Sequence, residues 1–238
     1  KTRKINFHAR VVLALTAVLL LVGTIAFLAT EWNNRQSAYS LGSLPASQRL
    51  VAAFFQAVTP RTAGFNSIDQ FSLFDTSKFI TVVLMFIGAA PGSTGGGVKI
   101  TTFAVFVATI LSDITGHDEI IISRHRLSRE TFTRSLAVLG LGLMIVLTST
   151  MMLGYFEVQA LEANRFSFMD MFFEATSAFA TVGLTSAGTP QLTPGSWMVL
   201  IPAMYLGRVG PASFAISLAM RSVKKREIVH PEGRLLVG

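Results

Sequence analysis

The chain has 238 residues, of which 51% are hydrophobic and 14% are charged, with a mean hydropathy of +0.55 and a net charge of +7. A soluble domain carries about 25% charged residues, so this composition excludes an ordinary soluble protein and favours a membrane protein. The chain has no cysteine, which excludes disulfides and thiolate metal sites.

The lysine and arginine residues are unevenly distributed among the polar stretches. Thirteen of them lie in residues 1–10, 113–134 and 221–238, whereas five lie in the alternate stretches, residues 31–78 and 156–197. By the positive-inside rule, this distribution predicts that both ends of the chain and the middle loop are cytoplasmic. The basic charge therefore reports topology, and no nucleic-acid partner is expected.

The first half of the chain, residues 1–112, predicts one pore repeat. Residues 11–30 contain no charged side chain and are long enough to cross a hydrocarbon core of about 30 Å as a helix. A half-helix at 47–58 and a returning strand at 59–66 follow, and the strand requires cover by protein or water at that depth. Residues 77–112 then predict one long helix that is broken by a loop at 88–99.

The second half, after a cytoplasmic loop at 113–134, repeats this order over residues 135–222. Ser167 and Asp170 have the spacing of a capping box, which predicts where the second half-helix begins. The fold class is therefore all-α integral membrane, with repeated units of helix, pore loop and helix. The predicted elements are a helix at 135–155, a half-helix at 167–180, a strand at 181–185, a helix at 197–220 and a cytoplasmic tail at 223–238.

The two predicted strands carry the same motif, 119 residues apart. Glycine adopts positive φ angles that turn successive carbonyl groups to one side, and rings of carbonyl oxygens can replace the hydration shell of a potassium ion. The motif predicts a selectivity filter in which backbone carbonyl groups bind a cation that has lost its water. The alternative is a pair of tight turns between core helices, but two copies in register, each after a half-helix, favour the filter. The filter residues are Thr62, Ala63, Gly64, Phe65, Thr181, Val182, Gly183 and Leu184.

The break in the third apolar stretch is rich in glycine, which opposes a helix by about 1 kcal/mol per residue. It lacks the P-loop pattern, because Val98 separates the last glycine from Lys99 and Ile100 follows the lysine. We expect a flexible gating loop below the filter, with a packing kink as the alternative. The loop residues assigned to the gate are Gly88, Pro91, Gly92, Ser93, Thr94, Gly95, Gly96 and Gly97.

Arg208 lies in the middle of the last apolar stretch. A charge at that depth costs several kcal/mol unless it faces water or a partner, so an intramembrane arginine predicts a functional residue. Gly207 is Gly88 shifted by 119 residues, which predicts that Arg208 lies beside the glycine-rich loop, beneath the filter, as part of the gate. Lys99 is assigned to the gate because it lies at the far end of the glycine-rich loop. Its side chain is expected to extend toward the cytoplasmic face.

Asp170 and Glu174 in the second half-helix have two open interpretations. They can attract cations to the outer mouth, or they can serve as a helix cap and a structural hydrogen-bond acceptor.

Together these motifs resemble the Trk/Ktr/HKT superfamily of potassium transporters, and the membrane subunit of bacterial Ktr systems in particular. The resemblance implies four units in a pseudo-fourfold arrangement around one pore, with Gly64 and Gly183 at the ion sites and Arg208 beside the gating loop. It further implies potassium as the transported ion, sodium as a possible second ion, no organic cofactor, and the bacterial cytoplasmic membrane. The implied partners are membrane lipid, a second copy in a homodimer, and a cytoplasmic ring of nucleotide-binding regulatory subunits. The matching stretches are residues 59–66, 88–99, 180–185, 207–211 and 231–238.

A filter of this kind needs about four strands, and the chain supplies two. We therefore expect two further repeats before Lys1 on the same polypeptide. The alternative function is a non-conducting membrane scaffold or receptor subunit whose repeats serve packing. No enzymatic activity is expected, because the sequence has no recognisable pairing of nucleophile and base and no metal-ligand spacing.

Overall fold

The computed structural model describes residues 6–116, 121–122 and 125–210, and these residues are mainly helical. The hairpin of β1 and β2 is antiparallel, with Ile121 opposite Arg126 and Ile122 opposite His125. In chain order the elements are α1 (Phe7–Glu31), α2 (Ala46–Val58), α3 (Asp75–Phe86), α4 (Ile100–Ile114), β1 (Ile121–Ile122), β2 (His125–Arg126), α5 (Arg129–Phe156), α6 (Val158–Glu162), α7 (Phe168–Phe179) and α8 (Pro194–Val209).

Helices α1 and α5 are long and apolar enough to cross a bilayer, judged by length and composition. Only 11% of the most apolar window of α1 and 28% of that of α5 are buried, so most of their side chains are free to contact lipid. Side chains cap both helices: Asn6 accepts from the Ala9 N–H at 2.8 Å, and Ser128 accepts from the Thr131 N–H at 3.3 Å.

Helices α2 and α7 have 13 and 12 residues, so at about 1.5 Å per residue neither crosses a bilayer alone. The capping box that starts α7 is present, since Ser167 accepts from the Asp170 N–H and the Asp170 carboxylate accepts from the Ser167 N–H. After each half-helix the chain continues without regular structure, at 59–66 and at 181–185. Each half-helix is therefore followed by a segment of irregular backbone, in the order that the sequence predicted.

The interruption between α3 and α4 is a loop whose two ends lie side by side. Ile87 and Val98 form a single parallel bridge, and the Gly88 N–H donates to the Val98 carbonyl at 2.8 Å. The loop therefore projects from a closed neck between the two helices.

Helix α8 ends at Val209, and Gly210 follows with a left-handed φ of 88°. The remainder of the helix predicted over 197–220 lies beyond residue 210, outside the described residues. The predicted tail at 223–238 and the motif at 231–238 lie there too.

Two buried carboxylates join the long helices to the helices that end each repeat. At the end of α1, Glu31 accepts the Phe74 N–H at 3.0 Å, and just after α5, Glu157 accepts the Thr193 N–H at 2.6 Å. Phe74 and Thr193 are the N-cap residues of α3 and α8 and lie 119 residues apart. Each carboxylate satisfies an N–H group at the start of a helix, where no intrahelical acceptor exists.

The core consists of packing within each repeat and between them. Phe27 of α1 packs on Ala57 of α2, and Leu153 of α5 lies in one cluster with Met171 of α7 and residues of α8. Between the repeats, α3 packs against α7, with Met85 in the same cluster as Phe173. Helix α7 is therefore enclosed by helices of both repeats.

The equivalent half-helix α2 is less enclosed. Phe173 is 0% exposed, whereas Phe54, which precedes it by 119 residues, is 50% exposed. Helix α3 covers α7 on this side, and among the described residues α2 has no corresponding neighbour.

The ring of Phe7, at the start of α1, stacks on the ring of His125 in β2, with centroids 4.2 Å apart. The start of α1 and the hairpin within residues 113–134 therefore share one face.

Candidate ion-conducting site

The two re-entrant strands meet backbone to backbone. A Cβ atom built on Gly64 would lie 2.1 Å from the Val182 carbonyl oxygen and 3.7 Å from the Cα atom of Gly183. The Val182 oxygen is closer to this position than its carbonyl carbon, at 3.3 Å, so the carbonyl of one repeat points at the glycine of the other. The structure thus brings Gly64 and Gly183 to one place.

Both strands alternate left-handed residues at the same positions. Gly64 and Gly183 have φ angles of 74° and 90°, and Thr62 and Thr181 have φ angles of 73° and 52°. In a regular strand successive residues face opposite sides, whereas a left-handed residue at every second position lets successive carbonyl groups face the same side.

The two threonines are the unexpected part of this pattern. A β-branched residue rarely adopts positive φ, and the left-handed region costs it about 1–2 kcal/mol. Strain of this kind persists only where the surroundings impose it, often at functional sites. In the sequence, positive φ was expected only at the glycines. The sequence signal for the second left-handed position is the threonine that occurs two residues before the glycine in both strands.

The strand carbonyls divide into free and bound groups. Those of residues 62–64 and 181–183 accept no hydrogen bond from any residue that the structure describes. The next carbonyl on each strand is bound by a hydroxyl group from the end of the half-helix: Phe65 by Thr59 at 2.7 Å and Leu184 by Ser177 at 2.6 Å. Peptide carbonyls in protein interiors are normally satisfied, so carbonyls that accept no hydrogen bond are candidates to bind a ligand; of these six, the carbonyl of Val182 points at Gly64.

The half-helices favour a positive ligand here. Helix α2 ends at Val58 and α7 ends at Phe179, directly before the two strands. The carboxyl end of a helix carries partial negative charge, which favours a cation in the adjacent space. Within the described ranges, His, Asp and Glu residues form no group of three or more that could hold a metal ion.

Glu174 serves as a hydrogen-bond acceptor at the carboxyl end of the second strand. It is 3% exposed and accepts the N–H groups of Ser186 at 2.9 Å and Ala187 at 3.1 Å, and the hydroxyl groups of Thr185 and Thr189. Such a carboxylate holds the chain that follows the second strand. For Glu174 the geometry thus matches the structural interpretation, not that of an open cation trap.

The glycine-rich loop lies against both strands. The Gly96 N–H donates to the Thr181 hydroxyl group at 3.0 Å, and a Cβ atom on Gly95 would lie 2.8 Å from the Thr62 hydroxyl oxygen. Residues 95–98 are buried there, whereas residues 91–94 form an exposed tip. Since a side chain on Gly95 or Gly96 would collide with a threonine, glycine is what allows this close approach.

Two cationic side chains hold neighbouring carbonyls of the loop. Arg208 of α8 donates to the Thr94 carbonyl, and Lys99, at the start of α4, donates to the Gly95 carbonyl. The ammonium group of Lys99 thus returns to the loop instead of extending toward the cytoplasmic face. Beside Arg208, a Cβ atom on Gly207 would lie 1.7 Å from the Phe179 carbonyl oxygen, so α8 packs directly on the end of α7.

Known proteins resemble this chain over nearly all of its length. The family model described as "TrkH: Cation transport protein" matches residues 2–227. The chain is 36% identical over 98% of its length to the Ktr system potassium uptake protein B of Bacillus subtilis and covers 50% of that protein. It is 33% identical over its full length to the potassium/sodium uptake protein NtpJ of Enterococcus hirae and covers 51% of it.

A solved structure shares the fold. The crystal structure of the potassium transporter TrkH from Vibrio parahaemolyticus is similar with a TM-score of 0.61 at 18% identity, over 90% of this chain and 44% of that one. The chain spans about half the length of the curated relatives it matches. The predicted family is therefore confirmed, and the chain belongs to the TrkH family of cation transport proteins.

Proposed function

We propose that this chain supplies two of the re-entrant strands of a potassium uptake protein, in which ions exchange their water for backbone oxygens. The observation that supports this best is the set of six free carbonyl groups on residues 62–64 and 181–183. Relatives named as potassium uptake proteins support potassium as the transported ion, and the name of NtpJ supports sodium as a second ion. In the proposed filter, potassium binds at Gly64 and Gly183.

The other units would complete a pseudo-fourfold ring. Phe173 is covered by α3 of the preceding repeat, whereas its equivalent Phe54 is half exposed. We assign the exposed face of α2 to the last helix of another repeat, which would cover Phe54 as α3 covers Phe173. Two further strands would then complete the ring of oxygens that a filter needs.

The loop at 88–99 would act as the gate. It lies against Thr62 and Thr181, and its glycines supply the backbone freedom that a moving segment needs. Arg208 and Lys99 would hold it in place through two adjacent carbonyls, and both cations would oppose an ion in the same passage.

The setting would be the bacterial cytoplasmic membrane, with lipid around α1 and α5 and both ends of this segment in the cytoplasm. The excess of basic residues supports this orientation, and the stacking of Phe7 on His125 supports a common side for the start of α1 and the middle loop. Two relatives are named as parts of a Ktr system, and that name supports an associated subunit. We assign it to a cytoplasmic nucleotide-binding ring that carries a homodimer of the membrane protein.

Rubidium uptake into proteoliposomes that hold the full-length protein tests the proposal. The expected result is uptake that potassium inhibits better than sodium and that Gly183→Asp abolishes, because a carboxylate would occupy the ion path. Gly140→Ala is the matched control, since Gly140 lies on α5 with nothing within 4 Å of an added Cβ atom. Unchanged uptake and ion preference in Gly183→Asp would reject the filter. An inactive wild-type protein would favour a scaffold.

A further inference from the structure

A buried ion pair connects the two repeats. The Lys78 ammonium group on α3 lies 2.7 Å from a carboxylate oxygen of Asp170 on α7, and the side chains are 6% and 3% exposed. The two residues lie 92 positions apart in the chain. Of the two ion pairs between described residues, the other joins Arg134 and Glu130 within one helix, and both of those side chains are over 70% exposed.

Asp170 uses both carboxylate oxygens. One oxygen binds Lys78 and also accepts the Ser186 hydroxyl group at 2.8 Å. The other accepts the Ser167 N–H at 2.8 Å and the Ser167 hydroxyl group at 3.0 Å. Lys78, from the first repeat, therefore neutralises a carboxylate that fixes both the start of α7 and the chain beyond the second strand.

Ser186 carries this connection to the proposed filter. It lies two residues after Leu184, and its N–H group donates to Glu174 at 2.9 Å. Leu184 in turn is held by Ser177 through its carbonyl group. The outer end of the second strand is thus fixed by two carboxylates, and only Asp170 is tied to the other repeat.

Among the residues that the structure describes, no carboxylate ties the first strand to the other repeat. Val51 lies 119 residues before Asp170 and is exposed, so α2 carries no carboxylate at this position. A change in the ion pair should therefore act on one strand of the ring and leave the other in place.

We propose that Lys78 is a positioning residue for ion preference, a role that rests on the proposed filter. Removal of one partner of a buried pair leaves a buried charge without compensation, so Asp170 would then draw in water or shift toward solvent. The Ser186 contact would move with it and slacken the second strand. A filter whose oxygens are less fixed would adjust to the smaller sodium ion and discriminate against it less.

The variants to compare are Lys78→Met, which removes the charge, and Lys78→Arg, which keeps it. Arg134→Met is the matched control, because it removes the exposed ion pair on α5. Rubidium and sodium uptake are measured in proteoliposomes of the full-length protein, together with the melting temperature in detergent. The ratio of the two uptake rates is the decisive quantity, because a loss of folded protein lowers both rates equally.

We expect Lys78→Met to lower the rubidium-to-sodium ratio about tenfold, which corresponds to about 1.4 kcal/mol of discrimination. Lys78→Arg and Arg134→Met should keep the wild-type ratio. An unchanged ratio in Lys78→Met, even with a lower melting temperature, would overturn the proposal and leave a purely structural ion pair. A wild-type protein without ion preference would instead reject the filter itself.

Ser186→Ala keeps the proposal testable if Lys78→Met does not fold. It breaks the link between Asp170 and the strand without leaving a charge unpaired. We expect a lower rubidium-to-sodium ratio in this variant too, by a smaller factor than in Lys78→Met. A wild-type ratio in Ser186→Ala would show that Asp170 does not act on the strand.

Discussion

Thr181 accepts a hydrogen bond from the backbone N–H of Gly96 at 3.0 Å, which ties the second re-entrant strand directly to the glycine-rich loop. The bond joins the proposed filter to the proposed gate through the side-chain hydroxyl group of Thr181. A displacement of the loop must therefore break a contact with the filter.

Gly96→Ala should raise rubidium uptake several-fold. An added Cβ atom would lie 2.6 Å from the Thr181 hydroxyl oxygen and 3.0 Å from the Ala180 carbonyl oxygen, so the loop would have to move away from the strand. Initial uptake rates in proteoliposomes measure the effect, with Gly140→Ala as the control. A lower or unchanged rate would show that the loop does not obstruct the ion path.

Shortening the glycine-rich loop within residues 92–97 tests the same gate by deletion. Fewer residues cannot reach both Thr62 and Thr181 from the neck at Ile87 and Val98, so uptake should rise. Unaltered uptake in the deletion variant would reduce the loop to a packing kink.

Gly64→Ala should damage the filter more than Gly183→Ala. Both residues have positive φ, so alanine costs each about 1–2 kcal/mol in the backbone. A Cβ atom on Gly64 would also lie 2.1 Å from the Val182 carbonyl oxygen, whereas one on Gly183 meets nothing within 4 Å. Melting temperature and the rubidium-to-sodium ratio should both fall further in Gly64→Ala. The reverse order would mean that the two strands do not meet as described.

Ser177→Ala and Thr59→Val should each loosen one strand. Each change removes a buried hydroxyl group that binds a strand carbonyl, at Leu184 and Phe65 respectively, with an expected loss of about 0.5–1.5 kcal/mol in stability. Ion preference should fall in both variants and fall further in the double variant, while the exposed Ser67→Ala serves as control. Wild-type preference in the double variant would show that these bonds do not hold the filter.

The carboxylate of Glu157 should make the stability of the folded protein fall as the pH becomes acidic. Burial raises the pKa of its carboxyl group, but hydrogen bonds from Ser196 and Thr193 and the charge of Arg165 lower it by more, so the net pKa lies below the ordinary value of 4.5. A lowered pKa in the folded protein stabilises it above the unfolded pKa, and this contribution is lost as pH falls through the folded pKa.

The melting temperature in detergent at neutral and acidic pH measures this contribution. Glu157→Gln should lower the melting temperature at neutral pH and reduce its fall in acid, whereas the exposed Glu162→Gln should do neither. Equal acid sensitivity in Glu157→Gln and the wild type would contradict the assignment.

The sequence was informative where local chemistry decides the structure. Ser167 and Asp170 marked a helix start because a capping box needs only four consecutive residues. The glycines of 88–97 predicted an interruption because they disfavour a helix wherever it lies. The family followed from motifs with fixed spacing, and the matched family model confirmed it. The pseudo-fourfold ring and the roles of the filter and loop residues remain predictions.

Contacts between distant segments could not be read in the same way. Lys78 was simply one of a few basic residues in an outer stretch, and only the packing of α3 on α7 brings it to Asp170. The equivalence of Glu31 and Glu157 could not be recognised from the 119-residue period, because these two residues are not separated by that distance. The loops that follow α1 and α5 differ in length. The fold of Lys99 back onto Gly95 depends on the loop neck, which no local pattern specifies.

The paired carboxylates Glu31 and Glu157 limit where this protein can move. Glu31 binds the start of α3 to the end of α1, and Glu157 binds the start of α8 to the end of α5. These two helix junctions are therefore fixed points of the fold. The loop at the other end of α3 is held by hydrogen bonds that Arg208, Lys99 and Thr181 each make to its backbone. If the glycine-rich loop is the gate, it would therefore move while the ends of α1 and α5 and the starts of α3 and α8 keep their positions.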